Sequence, residues 1–349
     1  MDKVIEGTNA YLQAAKNNKN DEFYTTYETI EAELCHYTDQ LKGKTVFCNC
    51  DDPFESNFCK FFIRKFNEYG LKRLICTSYS GSPMAGTQLS FFEDNSFKQG
   101  YLLDIRKVPS GTSENGELND DEIAGFLKHE NVHELNGSGD FRSEECEGFL
   151  SESDVVITNP PFSLFRELIA LLEKYKKKYL LIGNMNAVNY KEIFPLIQNN
   201  KAWLGYHNGD MAFRVPADSE PRKTRFWIDE TGQKWRSLGN AMWFTNLDVA
   251  YRHKNLELKA KYDPDVHVKF DDYDAIYVPK VADIPYDYAG IMAVPITILT
   301  KYNPAQFRIV GEANHGSDNS YDLFKPVIKG KLMYKRILIQ RIKERRLHL

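Results

Sequence analysis

The sequence predicts an α/β fold, with a mostly parallel sheet covered by helices on both faces and then a smaller C-terminal lobe. Short apolar runs alternate with helix-length amphipathic stretches between residues 21 and 183, which is the pattern of β-α-β crossovers. Beyond residue 200 the runs become short, aromatic and alternating, as antiparallel strands are. From about residue 249 the composition turns to Tyr, Asp, Pro and Lys, which marks the start of the lobe.

Residues 21–42 read as an opening loop and an amphipathic helix with Ile30, Leu34 and Leu41 on one side. Residues 44–50 form a buried strand that Asp51-Asp52-Pro53 ends. Ser56 caps the next helix, whose apolar stripe is Phe58, Phe61, Phe62 and Phe66, and Gly70 stops it. Residues 74–77 complete a βαβ unit. Residues 79–130, rich in Gly, Ser, Asn and acids, read as a partly mobile insertion with only short strand-like pieces such as Tyr101-Leu102-Leu103. Order returns at His133-Glu134-Leu135 and pauses at Gly139-Asp140-Phe141. A helix at 143–150, a strand at 154–158, a helix at 163–177, a strand at 179–183 and a helix at 191–199 continue the alternation. Stretches 202–206, 211–215, 225–228 and 242–245 suit a terminal hairpin and an inserted ribbon, and 306–311 and 332–342 are strand-like. The expected boundaries are an N-terminal extension at 1–20, a core at 21–248 and a C-terminal lobe at 249–349.

Composition narrows the function. The chain has 349 residues, 42% of them hydrophobic, and no long apolar run, so no membrane helix is expected. Met1 to Glu6 lacks the charged-then-apolar pattern of a signal peptide. The 6 cysteines lack CxxC spacing, which points to reduced thiols in a cytoplasmic protein. Neither Cys35-His36, Cys48/Cys50/Cys59 nor the pair His129 and His133 has the spacing of a metal site. The net charge is −4, but acids crowd the middle of the chain. Arg222-Lys223-Thr224-Arg225 and the tail from Lys329 to Arg346 are basic. Local patches rather than total charge govern phosphate contact. The sequence shows no Ser/His/Asp grouping, Walker loop or paired catalytic carboxylates.

Asn159-Pro160-Pro161-Phe162, directly after the run Asp154–Thr158, is the most specific feature. A proline-locked loop at a strand end displays one amide, one backbone carbonyl and one aromatic ring. An exocyclic amino group on a flat base is a poor nucleophile because its lone pair is delocalised into the ring. The Asn159 oxygen and the Pro160 carbonyl can draw its two N–H bonds out of that plane. Pro160 and Pro161 stiffen the loop and bring no competing N–H groups. Phe162 then stacks on an everted base. These groups point to amino methylation from S-adenosylmethionine (AdoMet), with rate enhancement from positioning and aligned dipoles. The first βα turn, Asn49-Cys50-Asp51-Asp52-Pro53, is the expected cofactor loop although it lacks a glycine-rich sequence. There Asp51 or Asp52 binds ribose hydroxyls or the methionine ammonium, or else caps the next helix. Asp140 is expected to accept the cofactor's adenine amino group, with Phe141 packed on its ring. Phe23-Tyr24-Thr25 is placed to fold over the methionine end.

At these residues the chain resembles the EcoRI-type adenine-specific DNA methyltransferase family. The resemblance runs through Phe23-Tyr24-Thr25, Cys48 to Pro53, Gly139 to Ser143 and Asn159 to Arg166. It continues in Ile182 to Ala187, Gly239 to Asn246 and Ile337 to Ile339. It implies a class I methyltransferase, with a Rossmann-like, mostly parallel seven-stranded sheet and a C-terminal target-recognition lobe. The order of cofactor loop, catalytic loop and lobe is similar to the gamma arrangement of amino-methyltransferases. The implied activity is N6-adenine methylation of a short double-stranded DNA sequence, within a restriction–modification system. It also makes the atypical Asn49–Pro53 turn a family trait. The expected partners are duplex DNA and a cognate restriction endonuclease that forms no stable complex with it. A monomer in the cytoplasm of a prokaryotic or phage-host cell is expected. Arg222, Lys223, Arg225, Lys335, Arg336 and Arg341 are the expected phosphate contacts. Two readings stay open from the residues alone: methylation of an RNA base or a protein glutamine amide, and a non-catalytic DNA-binding protein that keeps the fold.

Overall fold

The computed structural model describes residues 24–80, 99–128, 131–215, 217, 219–314 and 325–342. Expectations placed on residues 1–20, Phe23, His129 and the end of the basic tail (Lys343, Arg345, Arg346) lie outside the described residues. The chain divides into two compact units, Met1–Ala187 with His207–Leu247, and Val188–Tyr206 with Asp248–Leu349. The sequence placed a boundary near residue 248; the second unit also takes in Val188–Tyr206.

Among the described residues the first unit is built on a 10-stranded sheet, of which only residues 203–206 of the eighth strand are counted with the second unit. Its strands are β1 (Tyr24–Thr25), β2 (Thr45–Cys48), β3 (Arg73–Thr77), β4 (Tyr101–Ile105), β5 (Val132–Glu134), β6 (Val155–Thr158), β7 (Lys178–Asn184), β8 (Trp203–Arg214), β9 (Phe226–Ile228) and β10 (Lys234–Thr245). They run in the order β1-β8-β10-β7-β6-β2-β3-β4-β5, with β9 beside β10. Parallel pairing joins β7 to β6, β6 to β2 and β2 to β3. β4 pairs antiparallel with β3, and β5 with β4; β10 pairs antiparallel with β7.

The sheet is therefore wider than the seven strands expected, and parallel only at its centre. The supposed insertion supplies part of that width. Its described residues hold β4 and the helix Asp120–Lys128. The strand-like Tyr101-Leu102-Leu103 is part of β4, but its pairing was hard to see because its partner β3 lies beyond a Gly- and Ser-rich stretch. Asp120, Asp121 and Glu122 in the first turn and Lys128 in the last complement that helix's dipole.

In chain order the helices are α1 (Tyr27–Leu34), α2 (Thr38–Leu41), α3 (Asn57–Arg64), α4 (Asp120–Lys128), α5 (Glu144–Glu152), α6 (Phe165–Lys174) and α7 (Phe194–Gln198). α3 starts where the sequence says it should: Phe58 N–H donates to the Ser56 hydroxyl at 3.0 Å. Phe58, Phe61 and Phe62 are all buried. Phe58 meets Trp243 edge-on at 6.1 Å, whereas Phe165 of α6 meets Phe244 at 5.1 Å. Trp243 and Phe244 are consecutive on β10 and so face opposite ways. α3 and α6 therefore cover opposite faces of the sheet.

The second unit has its own core. β11 (Ala275–Tyr277), β12 (Ile291–Val294), β13 (Phe307–Ala313) and β16 (Arg336–Arg341) form a sheet in the order β11-β12-β16-β13. β14 (Val327–Ile328) and β15 (Lys331–Leu332) make a separate hairpin. Phe270, Ala275, Ala293, Ala313 and Leu338 pack together. Nearby, the Arg252 guanidinium lies 4.2 Å from the centre of the Trp203 ring. β16 is thus an interior strand of this sheet.

Candidate active site

The chain runs from β2 outward to β3, and later returns on the other side of β2 with β6. That reversal opens a crevice at the carboxyl ends of β2 and β6, where open α/β sheets bind ligands. The two loops the sequence singled out, Asn49–Pro53 and Asn159–Phe162, both begin there.

Asp51 ties them together. Its carboxylate is buried and accepts from the Ser56 hydroxyl at 2.7 Å and from the Thr158 hydroxyl at 2.5 Å. Its backbone N–H donates to Thr77 O at 3.1 Å, so β3 joins the same knot. Burial outweighs the two donated hydrogen bonds and pushes the carboxyl up to about 7. Asp51 thus braces the loops from beneath. Asp52 takes the turn: its Oδ1 accepts from the N–H groups of Phe54 at 2.9 Å and Glu55 at 3.2 Å. Burial raises the Asp52 carboxyl as well. Asn49 is buried, and half-buried Cys50 directs its thiol at Asn49 Oδ1.

Asn159 stands at the end of β6, with its Nδ2 donating to Thr25 Oγ1 at 3.1 Å. The oxygen of the amide is therefore the end turned away from Thr25. Pro160 is buried, whereas Pro161 and Phe162 are half-buried. The Pro161 carbonyl accepts from Leu164 N–H at 2.9 Å, which starts the 3-10 turn Phe162–Leu164. Gly183 of β7 lets α6 approach: a Cβ there would lie 2.6 Å from Phe165 Cε2.

The Gly139-Asp140-Phe141 turn joins the same rim. Ser80 N–H donates to Ser138 O at 2.8 Å. Gly139 has φ +77°, and a Cβ on it would lie 1.9 Å from Ser78 O, so only glycine fits. Phe141 is buried. The Asp140 carboxylate is gripped by the Arg142 guanidinium, Nη2 to Oδ2 at 2.6 Å and Nε to Oδ1 at 2.9 Å. That contact holds its carboxyl below the usual range.

Tyr24 lies under a cation that the sequence pattern does not reveal. The Arg214 guanidinium is 5.3 Å from the Tyr24 ring centre and reaches Glu55 at 3.3 Å. Ser56, Asn57, Thr158 and Arg214 were all missed. Ser56 was assigned only a cap, and the other three reach the site through contacts between distant segments.

The expected phosphate-binding residues fall into two groups. Arg222, Lys223 and Arg225 are exposed. Arg222 and Arg225 line a groove of about 450 Å³ with Arg236, Ser237 and Asn240. Arg225 also pairs with Asp210 at 3.2 Å. Lys335, Arg336 and Arg341 belong to the second unit and are half-buried. Arg336 donates to Tyr277 OH at 2.5 Å. Among the described residues no group of three or more His, Cys, Asp or Glu side chains is arranged to hold a metal ion.

Comparison with known proteins agrees in one direction. The family described as "Adenine-specific methyltransferase EcoRI" matches residues 11–342. The chain is similar to the type II methyltransferase M.EcoRI of Escherichia coli, 45% identical over 95% of this chain and 97% of the relative. It is similar to the type II methyltransferase M.MpnI of Mycoplasma pneumoniae, 32% identical over 95% of this chain and 98% of the relative. A third relative, the type II methyltransferase M.MgeORF184P of Mycoplasma genitalium, is 35% identical over 86% of this chain and 85% of its own length. No solved structure matches significantly.

Proposed function

The chain belongs to the EcoRI family of adenine-specific methyltransferases, and from that premise we propose that it methylates N6 of one adenine within a short duplex DNA sequence, using AdoMet. The observation that carries this reading is the Asn159 amide at the carboxyl end of β6, with its NH₂ bound to Thr25 and its oxygen at the opposite end. An everted adenine donates one N6–H to Asn159 Oδ1 and the other to the Pro160 carbonyl. The Pro161 carbonyl is already engaged by Leu164. Two acceptors on one side pull the nitrogen toward a pyramid and free its lone pair, and Phe162 stacks on the base. Fixed dipoles at this nitrogen lower the barrier without reorganising in the transition state.

The cofactor, when bound, supplies an electrophilic methyl group. The donor set around Asn49–Pro53 fits it. The Arg214 cation suits its carboxylate, and the Asp52 carboxylate suits ribose hydroxyls or the ammonium. Asp140 keeps lone pairs for the purine amino group, while Phe141, Tyr24, Asn49 and Cys50 complete the walls. The phosphate contacts proposed are Arg222, Lys223 and Arg225, now joined by Arg236, with Lys335, Arg336 and Arg341 on the second unit. Such contacts set register and leave sequence to other side chains. The protein works as a cytoplasmic monomer within a restriction–modification system, beside an endonuclease specific for the same sequence. Among the described residues no helix is long and apolar enough to cross a membrane.

The test is incubation with labelled methyl donor and duplex DNA, tRNA or cell protein. Label in N6-methyladenine of the duplex is the expected result. Label in tRNA or in a protein glutamine amide moves the chain to the other enzyme reading, and no label at all leaves only DNA binding.

A further inference from the structure

We infer that Thr25 is a positioning residue for methyl transfer, whose hydroxyl holds the Asn159 amide, rather than a contact to the cofactor. This rests on the reading of Asn159 given above. A primary amide has two ends of nearly equal size, one accepting and one donating. Only the oxygen can receive an N–H from the target amino group, so the rotation of the amide about its last bond matters to the reaction.

Thr25 Oγ1 accepts from Asn159 Nδ2 at 3.1 Å, across 134 residues of sequence separation. Thr25 is itself 4% exposed, and its main chain is fixed without help from its side chain. Asn57 Nδ2 donates to Thr25 O at 2.8 Å, and Thr25 pairs with Phe213 in the short ladder of β1 and β8. A rigid strand thus presents one oxygen to one end of the catalytic amide.

The bond has an electronic effect as well as a geometric one. Donation from Nδ2 polarises the amide and places more negative charge on Oδ1. The run from target N–H to Oδ1, and from Nδ2–H to Oγ1, is a chain of hydrogen bonds that strengthen one another. Loss of the Thr25 hydroxyl removes this acceptor from Nδ2 and weakens Oδ1 as an acceptor in turn.

The experiment uses the full-length chain with Thr25→Val and Thr25→Ser. Valine keeps the branched shape and suits a strand, so the main-chain contacts remain. Single-turnover methyl transfer to duplex DNA is measured beside AdoMet affinity, DNA affinity and unfolding temperature. Thr25→Val is expected to slow transfer by roughly 10- to 100-fold with both affinities within about twofold, and Thr25→Ser to recover most of the rate. Thr25→Val with an unchanged rate overturns the inference. So does a loss of AdoMet affinity that accounts for the rate, which would return Thr25 to the cofactor site. Thr25→Ser as slow as Thr25→Val overturns it too, since the hydroxyl would then carry no role. A wild-type chain that transfers no methyl to adenine would instead refute the functional reading itself.

Discussion

Replacing Asp51 with Asn should change how stability depends on pH, in a direction fixed by burial. Asp51 sits beneath the crevice with its carboxyl raised from 3.8 to about 7. Below the lower value the folded and unfolded chains both hold the proton, and the stabilising effect is complete. Between the two values the unfolded chain ionises while the folded chain resists. Stability is therefore lost as pH rises towards the folded value, and above it the loss is complete. A gap of about three units at about 1.36 kcal/mol each sets the loss at roughly 4 kcal/mol. Asparagine keeps the size and one acceptor but cannot titrate, so its hydrogen bonds to Ser56 and Thr158 can re-form by hydroxyl rotation. Titrating groups that do not interact with Asp51 are common to both proteins and cancel in the difference. Urea unfolding at pH 4, 5.5, 7 and 8.5 measures it, each stability being obtained by linear extrapolation. Asp51→Asn should gain stability on the wild type steadily up to neutral pH and then run parallel to it. Parallel curves across the whole range would refute the reasoning and show an ordinary carboxylate at Asp51.

Two further substitutions test the fold and the DNA interface. Gly183→Ala forces a Cβ to within 2.6 Å of the buried Phe165 ring, and should cost about 1–3 kcal/mol by thermal unfolding; an unchanged unfolding temperature would show that α6 is free to shift. Charge reversal at Arg222 and Lys223 should weaken DNA binding and lower the slope of log affinity against log salt by about 1 for each phosphate left without its cation, and an unaltered slope would remove both from the interface.

How much could be read from the sequence depended on whether the deciding interaction is local. Ser56 as a cap and the Phe58, Phe61, Phe62 stripe follow from neighbouring residues, and the structure has both. The Asp154–Thr158 run became β6 because its apolar residues need no distant information to declare a buried strand. The place of β4 in the sheet was not legible. It depends on pairing with β3 across more than twenty residues of polar chain, and composition says nothing about strand direction. The width of the sheet was missed for the same reason.

The site shows the same divide. Asn159 to Phe162 is a contiguous motif, and its position at the end of β6 was legible. Asp51 and Asp52 look alike in sequence, but burial and the partners Ser56 and Thr158 separate a brace from a turn carboxylate. Thr25 was assigned to the cofactor because it precedes the first expected sheet strand, where a loop can fold over the methionine end. Only the folded chain places its hydroxyl against Asn159. Arg214 lay inside a stretch read simply as strand, and nothing local marks it as facing Tyr24 and Glu55.

The most direct test of the central claim is to compare wild-type and Asn159→Ala chains in the production of N6-methyladenine from duplex DNA. The account expects the wild type to form it. Asn159→Ala should be slower by roughly 10²–10³-fold or more, the scale for removing one preorganised hydrogen-bonding group, while AdoMet binding is retained. Near wild-type turnover by Asn159→Ala, or a methylated product other than N6-methyladenine from the wild type, would contradict it.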